Sequence, residues 1–186
     1  MPPPRPRLLG SLLLCSVLAS VLAHAAAPSP LRVGDGGRVL VKTEGQPVFL
    51  LADTAWSIAL RANREEAEFY LRQRKAQRFN AVTLVLFAPG KTELMRGDAN
   101  AYGDAPFASA GAVLDPTRPL TTPSADPGNA DAYDYWDHVD YVVRLARELE
   151  MYAILLPTWG SGLVGSYNGK DRSDVIFDEA TARTYG

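Results

Sequence analysis

The chain has one cysteine, Cys15, and two histidines, His24 and His138, in 186 residues. So little thiol and imidazole excludes a disulfide framework and a zinc site built from histidine and cysteine. No glycine-rich phosphate loop or dinucleotide fingerprint occurs, and no cofactor of any kind is expected. An excess of positive charge is lacking as well, with 19 Lys and Arg against 21 Asp and Glu. That balance offers no basic patch for nucleic acid or for an anionic membrane surface. No Asn-x-Ser/Thr sequon is present.

One apolar run is long enough to notice. Arg5 and Arg7 precede Leu8 to Leu22, and Ala23-His24-Ala25 follows with a small-x-small pattern. The run is short for a membrane span. The arrangement predicts a signal peptide over 1–25, cleaved after Ala25, and a product secreted to the periplasm or the extracellular space. After cleavage no membrane contact is expected. Leu14 stands before Cys15 where a lipoprotein signal needs a small residue, so a lipid anchor is not expected. Without Arg5 and Arg7 the 19 basic residues become 17 against 21 acidic, a net charge of about −4. The remaining chain of roughly 160 residues suffices for one core. A closed eight-stranded β/α barrel takes about 250.

Residues 26–31 are Ala/Pro/Ser-rich and read as a linker, with the folded part over 32–186. Arg38–Val41 and Pro47–Leu51 flank Glu44-Gly45, a hairpin signal. Asn63, with Glu66 three residues on, opens a helix that runs to Gln77. Phe79 to Leu86 is nearly all apolar, as a strand covered on both faces should be. Strand, helix and strand joined by short connections predict a βαβ unit and a parallel sheet. Residues 87–130, rich in Pro, Gly, Asp and Ala, read as one long loop. Tyr135 to Leu149 carries apolar residues at helical spacing. Tyr152 to Leu156 is a third buried strand, and Asp178 is placed to cap a helix over Glu179–Tyr185.

Two strand ends stand out. Leu50-Leu51-Ala52-Asp53-Thr54-Ala55-Trp56 and Leu155-Leu156-Pro157-Thr158-Trp159-Gly160 each run from an apolar stretch into polar residues and a tryptophan. In a β/α barrel the C-terminal strand ends form the active-site face. An indole there can stack on the C–H face of a sugar ring. Asp53 either accepts sugar hydroxyls or caps the turn at Thr54, and Trp56 is either a stacking wall or core. Trp159, followed by Gly160, Gly162 and Gly165, reads as a pocket wall. Asn80, at the opposite end of its strand, reads as a turn residue. Asp131, Asp134 and Asp137 read as a solvated helix start rather than a metal site, and Asp140 is spaced to pair with Arg144. His138 is the only histidine after the signal segment, and no Gly-x-Ser-x-Gly elbow accompanies it.

Seven segments occur in a set order: Leu51–Trp56, Arg64-Glu65-Glu66-Ala67, Phe79-Asn80-Ala81-Val82, Asn100-Ala101-Tyr102-Gly103, Asp115–Pro119, Tyr135–Tyr141 and Leu156–Gly160. Together they resemble the N-terminal part of the apiosidase-like glycoside hydrolases. These are secreted (β/α)8 TIM barrels, often followed by a small β-domain. The resemblance covers about Leu31 to Gly186. It implies a barrel cut after about three β/α units, acting in its full length on plant cell-wall polysaccharide. Pectin side chains bearing apiose are the family's best-known target. It also implies a retaining mechanism with two carboxylates, an aspartate at the fourth strand end and a later glutamate, both beyond residue 186. The fragment alone is then expected to be inactive. What carries over is a set of substrate-binding residues: Asp53, Trp56, Asn100, Tyr102 and Trp159, with oligosaccharide or polysaccharide as the partner and the long loop as a cleft lid. The chain departs from the family's usual glycine at Ala52 and at Arg78, where a left-handed helix cap is expected. The alternative from a different class is a non-catalytic carbohydrate-binding or adhesion module using the same tryptophans.

Overall fold

The computed structural model describes residues 27–88, 99–110, 113–160, 163 and 175–185. The expected signal peptide, Gly162 and Gly165 lie outside them. An antiparallel hairpin opens the fold, β1 (Leu31–Val33) with β2 (Leu40–Lys42). Leu31, placed in the linker from sequence, pairs with Lys42. The turn at Glu44-Gly45 forms as expected, with Gly45 in the left-handed region (φ 84°). The chain returns through a single bridge, Val41 to Pro47, rather than a full strand. Proline at that point supplies no ladder N–H.

The central layer is a parallel sheet of β3 (Ala52–Asp53), β4 (Ala81–Val85) and a third strand over Tyr152–Leu156. Ala52 stands opposite Ala81, which in turn faces Tyr152. The middle strand, β4, has Ala81, Val82, Leu84 and Val85 fully buried. This is why its sequence shows no alternation. Asn80 clamps the start of β3, its Oδ1 accepting from Leu51 N–H and its Nδ2 donating to Phe49 C=O, both at 2.8 Å. Its own carbonyl accepts from Tyr152 N–H. The turn residue therefore joins all three strands at their N-terminal end.

Between β3 and β4 lie two helices, α1 (Ile58–Arg61) and α2 (Arg64–Ala76). The short α1 has no sequence signal beyond its buried Ile58, Ala59 and Leu60. At α2, Asn63 Oδ1 accepts from Glu66 N–H and Glu66 accepts from Asn63 N–H, the reciprocal cap expected from sequence. Ala67 and Leu71 are buried in the hydrophobic core. The helix ends with Phe79 N–H bonded to Arg74 C=O and Arg78 N–H to Lys75 C=O, a Schellman motif. Arg78 takes the left-handed position (φ 70°) expected of a helix cap there.

The stretch read as one long loop is not structureless. It contains an antiparallel hairpin, β5 (Phe107–Ala110) and β6 (Val113–Pro119), with a register shift between Phe107 and Ser109. Turn-forming and proline residues conceal short strands from a periodicity argument, because the hairpin is stabilised by packing rather than by alternation. Phe107 is buried and meets Phe87 edge-on, centroids 4.9 Å apart. A 3-10 turn over Ala130–Ala132 leads into α3 (Tyr135–Glu148). Asp134, expected to be solvated, is 7% exposed. It accepts from the Trp136, Asp137 and Thr122 amides, so burial here goes with full hydrogen bonding. The strand β7 (Tyr152–Leu156) and α4 (Glu179–Tyr185) complete the chain order. Asp178 caps α4 through Thr181 N–H at 2.7 Å. Among the described residues no helix is long and apolar enough to cross a membrane.

Candidate functional site

The strands β4 and β7 end side by side at Val85 and Leu156, and β3 ends earlier, with Asp53 opposite Val82. Their parallel pairing continues past the strand ends. Val85 N–H donates to Trp56 C=O at 3.0 Å, and Leu86 N–H donates to Leu156 C=O at 2.9 Å. The first of these fixes the backbone of Trp56 over the end of the middle strand. Trp159, two residues after Pro157, reaches it from the other side. The two indoles meet edge to face, with centroids 4.9 Å apart and planes at 86°. Such aromatic pairs are worth about 0.5–1.5 kcal/mol beyond their buried area. Trp56 remains 40% exposed, whereas Trp159 is partly buried against the core. A cavity of about 560 Å³ lies beside Trp56, lined mainly by apolar surface of Thr54–Ile58, Arg61 and Tyr70.

Two tyrosines, which the sequence reading passed over, hold the neighbouring backbone. Tyr135 donates its hydroxyl to Leu86 C=O at 2.7 Å, and Tyr185 donates to Pro157 C=O at 3.0 Å. Burial pushes both phenol pKa values up, that of Tyr185 to about 12. They therefore serve as neutral donors that fix strand-end carbonyls. Phe87 packs below them against Phe107, Phe177 and Tyr185. Thr158 Oγ1 is buried without a hydrogen-bond partner among the described residues.

The remaining sequence-derived candidates go elsewhere. Asp53 points toward α2, where its Oδ2 accepts from the Tyr70 hydroxyl and from Arg74 Nε, the latter at 2.6 Å. Burial alone would raise its pKa; the bonds from Tyr70 and Arg74 and the Arg74 charge outweigh that and hold it below the usual carboxylate value. The carboxylate is thus ionised and already bonded. Asn100 is 7% exposed. Its Oδ1 accepts from the Tyr102 and Asp104 amides, closing its own turn. The Tyr102 hydroxyl accepts from Arg64 N–H at 2.9 Å, satisfying one of the free amides at the start of α2. The described part of the expected lid is therefore fastened to a helix start. The site brings together Trp56 and Trp159, and it leaves Asp53, Asn100 and Tyr102 outside the pair.

Among the described residues, no three acidic, histidine or cysteine side chains are grouped to hold a metal ion. One carboxylate, Asp53, sits at the strand ends described, and glycoside hydrolysis ordinarily takes two.

The comparisons with known proteins agree with this geometry. Residues 34–186 match a family described as "Apiosidase-like, catalytic domain". A solved structure described as a glycoside hydrolase superposes with a TM-score of 0.60 at 26% identity, over 84% of this chain and 29% of its own. A glycoside hydrolase family 5 protein from Bacteroides vulgatus ATCC 8482 gives a TM-score of 0.60 at 26% identity, over 83% of this chain and 28% of its own. The chain thus spans under a third of the length of these structures. No curated protein matches it. With a parallel βαβ sheet, tryptophans at its strand ends and a family match over most of its length, the chain belongs to the apiosidase-like family of glycoside hydrolases.

Proposed function

We propose that this chain forms the first three β/α units of a (β/α)8 barrel in a secreted glycoside hydrolase. Its substrate is a pectin-type plant cell-wall polysaccharide, and the mechanism is retaining, with both catalytic carboxylates beyond residue 186. The observation that carries the reading is the edge-to-face pair of Trp56 and Trp159 across the strand ends. One indole is held by the other and still offers a large exposed surface, as a sugar-stacking wall requires. The three strands run parallel in the order of their sequence, which is how consecutive barrel strands lie. Asp53 serves the scaffold by tying β3 to α2, and Asn100 and Tyr102 tie the inserted loop to the start of α2.

Catalysis by this family's two-carboxylate route needs a general acid and a nucleophile about 5–5.5 Å apart. Asp53 is unsuited to either role, because its ionised oxygen is committed to Arg74 and Tyr70. The 186-residue chain therefore binds and does not cleave. The test is incubation with apiose-bearing pectic oligosaccharides, with products followed by proton NMR. The chain alone is expected to release nothing. A polypeptide that continues through the later strands is expected to release sugar with its anomeric configuration retained. Release by the short chain, or an inverted product from the longer one, contradicts the proposal.

A further inference from the structure

A second cluster lies away from the tryptophan pair. His138, on α3, is fully buried. Its Nε2 lies 2.9 Å from Ala62 C=O, and its Nδ1 lies 3.0 Å from the Tyr133 hydroxyl. A carbonyl only accepts, so Nε2 carries the proton. In the neutral ring Nδ1 then accepts from Tyr133 O–H. Both nitrogens are used, each in the one direction that fits. Ala62 sits between α1 and α2, the corner that follows Trp56. Tyr133 leads into α3. Tyr102 meets both the His138 and Tyr133 rings edge-on, at 5.3 and 5.6 Å. The imidazole therefore joins three segments that are far apart in sequence.

We propose that neutral His138 is a latch that fastens the 99–104 turn and the α1–α2 corner to α3, and that protonation of His138 opens it. The reason is the hydrogen-bond direction. An imidazolium carries a proton on Nδ1 as well, which points at the Tyr133 hydroxyl. Tyr133 then has to accept, and its own proton is displaced into a buried site. The charged surroundings act in both directions. Arg64, whose guanidinium lies 3.7 Å over the Tyr141 ring, repels an imidazolium, while Asp104 in the latched turn attracts one. Tyr102, Tyr133 and Tyr141 complete the facing groups, and burial pushes the phenol pKa values of Tyr133 and Tyr141 up. Burial is the leading cause that holds the imidazole pKa below its usual value; the Ala62 carbonyl opposes it, Arg64 adds to it, and Asp104 opposes it. The latch is thus closed at neutral pH and opens on the acid side of 6.5. His138 is a positioning residue here, since it acts on Trp56 only through the α1–α2 corner. The inference stands whether or not the tryptophans bind sugar.

The test reads the imidazole and three backbone amides of the whole chain. Long-range proton–nitrogen correlations identify the His138 tautomer, with His24 as the only other histidine signal. Hydrogen exchange reports the Tyr102 and Asp104 amides, bonded to Asn100 Oδ1, and the Arg64 amide, bonded to the Tyr102 hydroxyl. The expected result is a proton on Nε2 at pH 7, a titration midpoint below 6.5, and loss of amide protection by about tenfold or more through the same midpoint. His138→Gln keeps a donor for Ala62 C=O and carries no titrating proton, so it is expected to hold the turn independently of pH in this range. A neutral ring protonated on Nδ1, a midpoint at or above 6.5, or titration with unchanged amide protection overturns the proposal. These readings come from the native chain, so they decide it even if the variant fails to fold.

Discussion

Replacing Asp53 with alanine separates a scaffold role from a ligand role for the one strand-end carboxylate described. The native Oδ2 accepts from Tyr70 and from Arg74, and the Asp53 side chain is 18% exposed. A hydrogen bond to a charged acceptor contributes about 1.5–3 kcal/mol when removed from a protein. The site is partly open to water and the ion pair is screened, so the pair itself is counted as nothing. The loss expected from the Tyr70 bond is about 1.5 kcal/mol, at the low end of that range. The assay is urea unfolding at pH 7 and again near pH 3, native against Asp53→Ala. The folded pKa of Asp53 lies below its ordinary 3.8. Its stabilisation is therefore complete above that value and fades as pH falls through the lower folded value. The gap between native and variant should accordingly narrow in acid. A gap under about 0.5 kcal/mol at both pH values, with oligosaccharide binding abolished, would refute the scaffold role, because surface changes of that size mean that nothing structural was lost.

Three further outcomes follow from individual positions. Arg78→Gly relieves a left-handed φ of 70° at the end of α2; after the glycine's entropy in the unfolded chain is deducted, a gain of about 0.5 kcal/mol is expected in thermal melting. A loss would mean that the cap is not left-handed. Thr158→Val removes a buried hydroxyl that lacks a partner among the described residues and should raise stability by about 1 kcal/mol, read as a melting shift of roughly 2–4 °C. Asn63→Ala removes the Oδ1 that accepts from Glu66 N–H in the α2 cap and should cost about 1 kcal/mol in the same assay.

Local signals in the sequence were legible where they act locally. Asn63 with Glu66, Asp178 before Glu179, and the apolar run into β4 each specify their element within a few residues, and the structure contains all three. Arg78 was legible as a left-handed cap because a departure from the family's glycine marked it. The hairpin β5–β6 was not, because β5 is short and β6 holds Pro116 and Pro119. The partners of Asp53 were hidden for another reason. Tyr70 and Arg74 lie 17 and 21 residues away, and only the packing of α2 on β3 brings them near. The same holds for His138, whose carbonyl partner Ala62 is 76 residues distant. A tryptophan after a strand end gave its place but not its orientation. The edge-to-face contact of Trp56 with Trp159 depends on two loops meeting over the middle strand.

The most direct measurement is a titration of the purified chain with pectic side-chain oligosaccharides, following tryptophan emission, for the native protein and for Trp56→Ala. The account predicts a saturable change for the native chain, with affinity reduced by about tenfold or more in the variant, equivalent to about 1.4 kcal/mol of binding energy. Binding by Trp56→Ala that matches the native chain, or no saturable binding by either, would contradict the assignment of the strand-end tryptophans to a sugar site.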